Sequence, residues 1–294
     1  MNDRSINQSS CVKCELCILI CPAGILSQTE TGEVFFREDR VDVCIKCGHC
    51  MAMCGHKSIS IEGLSYEKHF RPLPSVIPDP EAFRNLLLTR RSVRIFQERP
   101  VTRETLEKIV EMISTVPFGV HPDNVHVTIV SDISMIEKAV LLMSDTYRWM
   151  HKIFRKPVLG WLILKSMPKE VSNALTNFIL PHIDKGFYIH PEMIDDIARS
   201  APAMILFHAP KEAEEHTVDA HICLTYALLA AHSLGLGATA IGLIGPAINK
   251  SKPLRKLFHV PPENEVVEAM ILGYPKYRFK HAIVRPKNNV TYLG

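Results

Sequence analysis

The spacing of apolar positions changes from segment to segment along this chain, and each spacing predicts an element. After Thr102, Leu106, Ile109, Val110 and Ile113 recur on one helical face. Asp79, Pro80 and Glu81 supply an N-cap, a first-turn proline and an acid at the positive end of the dipole, so a helix through about Leu88 is expected. Val125 to Val130 alternates as a strand does, and Asp132 to Met143 returns to helical spacing. Ala203 to Phe207 and Val266 to Gly273 are short apolar runs that read as strands. Thr217 to Leu234 is apolar nearly all round, which predicts a central helix buried on most sides; in a domain this small such a helix often completes its burial against a second subunit. Strands interleaved with helices predict a sheet that the helices cover. From Tyr147 to Tyr188 the pattern lacks punctuation and sets Trp149, Phe154, Trp161, Phe178 and Phe187 among lysines and arginines, so it reads as an inserted lid over about 147–188.

The first sixty residues have cysteines in place of a period. Cys11, Cys14, Cys17 and Cys21 repeat 33 residues later as Cys44, Cys47, Cys50 and Cys54. Pro22 follows the first run, whereas Gly55 follows the second. Three thiolates two residues apart can turn around one iron-sulfur cube while the fourth points to the other cube. The expected sets are therefore crossed: Cys11, Cys14, Cys17 and Cys54 on one 4Fe-4S cluster, and Cys44, Cys47, Cys50 and Cys21 on the second. Zinc sites use two hooks of two cysteines and give no reason for the third and fourth at fixed short spacing. Cys223, in an apolar helical run, reads as a buried inert thiol. The cluster module is expected over residues 1–62. Pro72, Pro74, Pro78 and Pro80 mark 63–80 as a linker, leaving 81–294 for a second domain.

Composition narrows the class. A net charge of +3 with 22% charged residues offers no basic face for nucleic acid. No signal peptide is expected at the start, and eight thiols kept for iron predict a reducing cytoplasm in an organism that shields such clusters from oxygen. Ile222 to Asn249 contains no Asp, Glu, Lys or Arg, long enough to span a membrane. Gly235, Gly237, Gly242, Gly245 and Pro246 interrupt it, so a buried helix, a short strand and a turn are expected instead. Gly235-Leu-Gly237-Ala-Thr-Ala240 matches a dinucleotide fingerprint literally, but it follows a helix and opens a strand, the reverse of what that fold needs. The histidines show no metal-binding spacing, and no acid-base or nucleophile signature is present.

A second constellation lies in the larger domain. Arg90-Arg91-Ser92-Val93-Arg94 follows its first helix, and four further segments stand downstream: Pro117 to Asn124, Arg199 to Ala203, Gly235 through Gly242, and Gly273 to Arg278 with Arg285-Pro-Lys287. Their order and spacing resemble the FMN-dependent nitroreductase family, and with the cysteines the chain is similar to a ferredoxin-nitroreductase fusion. The resemblance implies an α+β fold, a homodimer and one FMN in each of two clefts at the subunit interface. It assigns Arg90, Arg91, Ser92 and Arg94 to the phosphate and ribityl chain, in keeping with guanidinium and hydroxyl chemistry, and Arg285 to the same phosphate. Gly242 would bring backbone close to the flavin. Phe118 replaces the serine usual after Pro117, and His121 or Asn124 takes the place of the flavin-facing asparagine.

The reading these features support is an FMN oxidoreductase fed through its own clusters, reducing a small organic acceptor such as a nitroaromatic, a quinone or an activated alkene. An external ferredoxin is one donor, and NAD(P)H remains open as a reductant. Two alternatives share the same residues: a non-catalytic redox carrier or sensor docking a partner protein through the basic lid, and an FMN-processing enzyme of the same fold.

Overall fold

The computed structural model describes residues 4–77, 79–119, 124–181, 195, 197–287 and 289–294. The chain divides into two compact units, residues 1–78 with 118–123, and residues 79–117 with 124–294.

The first unit is assembled from short pieces: β1 (Arg4–Ile6), α1 (Leu16–Leu19), β2 (Leu26–Gln28), β3 (Val34–Phe36), α2 (His49–Met53), β4 (Ile59–Ile61) and α3 (Tyr66–His69). β1 pairs antiparallel with β4, and β2 with β3. Ile25, Leu26, Val34, Met51, Ile59 and Ile61 form its core. Leu64, Tyr66 and Phe70 pack against that core, with the Tyr66 and Phe70 rings 5.3 Å apart. The expected linker therefore starts too early at residue 63, and the exposed stretch is 71–77. Three anchors spread over one short turn have no period to read, so the prolines dominated the pattern.

The second unit contains α4 (Pro80–Thr89), α5 (Arg103–Ile113), β5 (His126–Val130), α6 (Ile133–Phe154), α7 (Pro157–Ser166), α8 (Lys169–Ala174), β6 (Ala203–Pro210), a central helix (His216–Ser233), β7 (Gly237–Ala240), two short helices (Ile244–Lys250 and Lys252–Leu257) and β8 (Asn264–Gly273). The caps behave as their chemistry requires: the Asp79 carboxylate accepts from the Ala82 N–H at 3.1 Å, and the Thr102 hydroxyl accepts from the Thr105 N–H at 3.3 Å. The sheet runs β5-β6-β8-β7, antiparallel throughout. β6 lies at its centre, buried from Ala203 to Ala209, and helices cover the sheet as the α+β expectation requires.

α6 outruns its expected end at Met143. Ile136, Ala139, Met143, Tyr147 and Met150 keep one buried face, so the opening residues of the expected lid belong to a core helix. Residues 182–188 of that lid lie outside the described residues. The central helix closes at Gly235, whose φ of +78° suits only glycine without strain, and β7 opens two residues later. This is helix then strand, so the glycines build no dinucleotide turn. Among the described residues no helix is long and apolar enough to cross a membrane.

Candidate functional site

The cluster unit sorts its eight thiols into two groups. Cys11, Cys14, Cys17 and Cys54 line one small cavity, and Cys21, Cys44, Cys47 and Cys50 line another. The backbone explains how a short chain does this. Lys13 and Glu15 take left-handed φ of 58° and 62°, two and four residues after Cys11, and Lys46 and Gly48 take 50° and 75° at the same offsets from Cys44. Gly24 and Lys57 repeat the feature three residues after Cys21 and Cys54. Left-handed turns at matched positions curl each run inward, and non-glycine residues hold them at a cost of about 1–3 kcal/mol each. The cysteine spacing was legible in the sequence, whereas this matching of backbone turns was not.

Among the described residues, no three His, Cys, Asp or Glu side chains converge on a single-ion site. Four thiols gather at each of the two cavities, the number that one cube takes. Burial pushes the Cys50 thiol up to about 12, with Cys21, Cys47 and Cys44 adding to the effect. Burial likewise raises Cys17, with smaller contributions from Cys11, Cys14 and Cys54. Electrostatic coupling thus runs within each ring. The Ser58 N–H donates to Cys54 Sγ at 3.3 Å, a contact that suits a ligated thiolate.

In the larger unit the segment after α4 becomes an extra edge beside β7. Ser92 bridges Ala238 in parallel, and the Val93 N–H donates to the Ala238 carbonyl at 3.2 Å. Gly237 makes the approach possible, since a β-carbon there would lie 2.6 Å from the Val93 side chain. On its other flank the segment meets the residues after β8, where the Gln97 N–H donates to Tyr274 O at 2.8 Å and the Lys276 N–H to Ile95 O at 3.1 Å. Arg90 and Arg91 are half-buried. Burial and then Arg91 lower the pKa of Arg90, so the site penalises uncompensated positive charge and favours an anion. Among the described residues no carboxylate forms an ion pair with Arg90, Arg91 or Arg94.

A cavity of about 470 Å³ opens here, lined by Arg91, His232, Tyr277, Arg278, Lys280 and His281 among others. Arg90, Ser92 and Arg94 alternate with the lining residues Arg91 and Val93 and do not line it themselves. Arg94 is exposed, with its Nη1 donating to Ser92 O at 3.4 Å. Gly242 is exposed, and nothing lies within 4 Å of where its β-carbon would stand. Neither its φ nor a neighbouring atom demands glycine, which fits a bound group passing close to that backbone. The adjacent Leu243 carbonyl accepts a hydrogen bond from the buried Tyr147 hydroxyl, fixing the turn to α6. Sequence reasoning missed Tyr147, having placed it in the lid. Arg285, expected at the same phosphate, stands in an exposed stretch, and Arg278 and Lys280 line the cavity. The alternation of basic and aromatic residues from Lys276 to Lys280 was the available signal. Asn124 is half-buried just before β5 and does not line this cavity, and His121 lies outside the described residues.

Residues 87–274, more than half of the chain, match the nitroreductase family. The chain belongs to the nitroreductase family. Residues 10–59 match the 4Fe-4S dicluster domain, so this nitroreductase carries a ferredoxin-type module at its N-terminal side. A protein of Archaeoglobus fulgidus named for NADH dehydrogenase and NAD(P)H nitroreductase activity is 24% identical over 191 residues, covering 65% of this chain and 84% of that protein. A nitroreductase from Bacteroides fragilis, solved with bound FMN, superposes with a TM-score of 0.52 at 20% identity, over 71% of this chain and 97% of the other. An FMN-dependent nitroreductase from Clostridium difficile gives 0.52 at 18% identity, over 73% and 100%. At these identities the likeness speaks for the fold of the nitroreductase domain alone.

Proposed function

We propose that this nitroreductase is an FMN-dependent oxidoreductase that takes in electrons through two 4Fe-4S clusters and delivers them to a small organic acceptor, a nitroaromatic, a quinone or an activated alkene. The sorting of eight thiols into two rings, in a chain whose remainder is a nitroreductase domain, carries the reading. Clusters exchange single electrons and a flavin takes two, so joining them matches a one-electron supply to a two-electron reduction. The FMN bound in one structural relative and the FMN dependence of another support the same cofactor here. Arg90, Arg91 and Ser92 would hold its phosphate end, Tyr147 would keep the Gly242 turn in place for the ring, and Arg278 and Lys280 add positive charge from the tail. The name of the Archaeoglobus relative supports NAD(P)H as a further reductant, and an external ferredoxin remains the other donor.

The assembly is read as a homodimer. Phe83 and Leu87 on α4 and Val218 and Tyr226 on the central helix are large, apolar and exposed, an uncovered face that a second copy would bury. We assign the enzyme to the cytoplasm, a reducing environment that supports eight thiols kept for iron.

The direction of electron flow is tested with Cys47→Ser, which damages one thiol ring and leaves the Arg90 region untouched. In stopped-flow under anaerobic conditions, flavin reduction by reduced ferredoxin should slow markedly, while direct reduction by NADH persists. Equally fast reduction by ferredoxin after verified loss of that cube would end the relay reading.

A further inference from the structure

α6 and α7 form a hairpin whose outer side is both apolar and cationic. Trp149 is 62% exposed, and on α7 Val158, Trp161 and Leu162 are 72%, 58% and 51% exposed. Val158, Trp161, Leu162 and Lys165 fall at one-face helical spacing, while Gly160 is buried and Leu164 packs inward on the core. Gly160 holds the hairpin tight, since a β-carbon there would lie 2.2 Å from the Phe154 carbonyl oxygen. The exposure therefore belongs to a helix anchored from behind.

Charge has the same one-sidedness. From Thr146 to Lys169 there is no Asp or Glu, while Lys152, Arg155, Lys156, Lys165 and Lys169 are all present, Arg148 being paired with Asp145 at 3.3 Å. Arg155 and Lys156 precede α7, and Lys165 and Lys169 stand at or beyond its end, so cations bracket the apolar face. The Lys165 ammonium sits 4.8 Å from the centre of the Trp161 ring. Ten residues make α7 about 15 Å long, half the thickness of a hydrocarbon core of roughly 30 Å. It is too short to span a bilayer and suited to lie along one, with tryptophan at the headgroup level.

We infer that this hairpin is a docking surface for an anionic lipid membrane. A second copy seated hairpin on hairpin is the poorer occupant, because that two-fold contact would set these cations against the same cations of the partner. An acidic protein would satisfy the charge but would not require four large apolar side chains projecting from the surface. Anionic lipid answers both, the headgroups taking the lysines and arginines and the acyl boundary taking Val158, Trp161 and Leu162.

The chain has two tryptophans, Trp149 and Trp161, and both lie on this hairpin. Tryptophan fluorescence of the full holoprotein therefore reports on this surface alone. Mixed with vesicles of phosphatidylcholine containing phosphatidylglycerol, the protein should float with the lipid and its emission should shift to the blue. Pure phosphatidylcholine vesicles, or added salt, should weaken both signals. Lys152→Gln combined with Lys165→Gln, two exposed changes that spare the fold, should lower partitioning about thirtyfold. Absence of flotation and of a blue shift with anionic vesicles overturns the inference, as does unchanged partitioning in the double variant. A Trp161→Ser protein that drops to a smaller oligomer without lipid, or an acidic ferredoxin that shifts the emission where vesicles do not, assigns the surface to a protein and overturns it too.

Discussion

In the cluster unit the longest helix, α2, has five residues and the strands have three, whereas the nitroreductase unit is built on a 22-residue helix and on strands of eight and ten residues. Helices of one turn and two-stranded sheets do not sustain themselves in water. Four non-glycine residues held in left-handed conformation, Lys13, Glu15, Lys46 and Lys57, add strain to the same small unit. The larger unit closes a continuous core around β6 from its own side chains. The cofactors therefore play different roles: the clusters are structural members of the first unit, and the flavin is a guest of the second.

Removing iron is the strongest way to break this comparison. Anaerobic chelation should unfold the first unit, seen as rapid proteolysis before residue 78, while the nitroreductase unit keeps its melting transition. A cluster unit that stays protease-resistant without iron would show that its apolar core suffices.

A smaller effect probes the second unit from within. His208 lies 3% exposed on β6, with Nε2 3.0 Å from the Thr128 hydroxyl and Nδ1 2.8 Å from Asn264 Nδ2. Burial, then His126 and Arg255, push its pKa down to about 4. The unfolded chain takes up the proton at the ordinary value near 6.5, and the folded one resists until about 4. The contribution to stability is therefore complete above about 6.5 and is lost as pH falls through that window, amounting to about 3 kcal/mol. Denaturant midpoints measured across that range should fall for the native protein and fall less for His208→Gln. Parallel curves would place the acid sensitivity elsewhere.

The smallest effect separates binding from stability. Arg90→Ala removes one charged partner for the flavin phosphate, which should weaken FMN binding by about ten- to a hundredfold. The melting temperature of the FMN-free protein should not fall, because burying Arg90 is unfavourable in the absence of an anion. An unchanged FMN dissociation constant would make Arg90 a surface residue, and a large loss of stability would make it a structural one.

Local covalent spacing was the most legible part of the chain. The two cysteine runs sort into two rings because neighbours within a run are tied by two or three residues, and the 33-residue repeat carries the crossed fourth thiol. The caps at Asp79 and Thr102 were equally readable, since a cap acts within three residues of itself. The Arg90–Arg94 segment was visible as a candidate, but not its division between residues that line the cavity and residues that do not. That division follows from the bridge to Ala238, formed across a separation that leaves no period in the sequence. The same limit hid the anchoring of Leu64, Tyr66 and Phe70 and the reach of Arg278 and Lys280. Tyr147 is the clearest case, bonded to Leu243 from 96 residues away. The sequence alone carried the cysteine spacing and the caps, because their physics is local. Tertiary structure alone decided which distant side chains meet, because burial rewards any contact that packs and leaves its trace only in three dimensions.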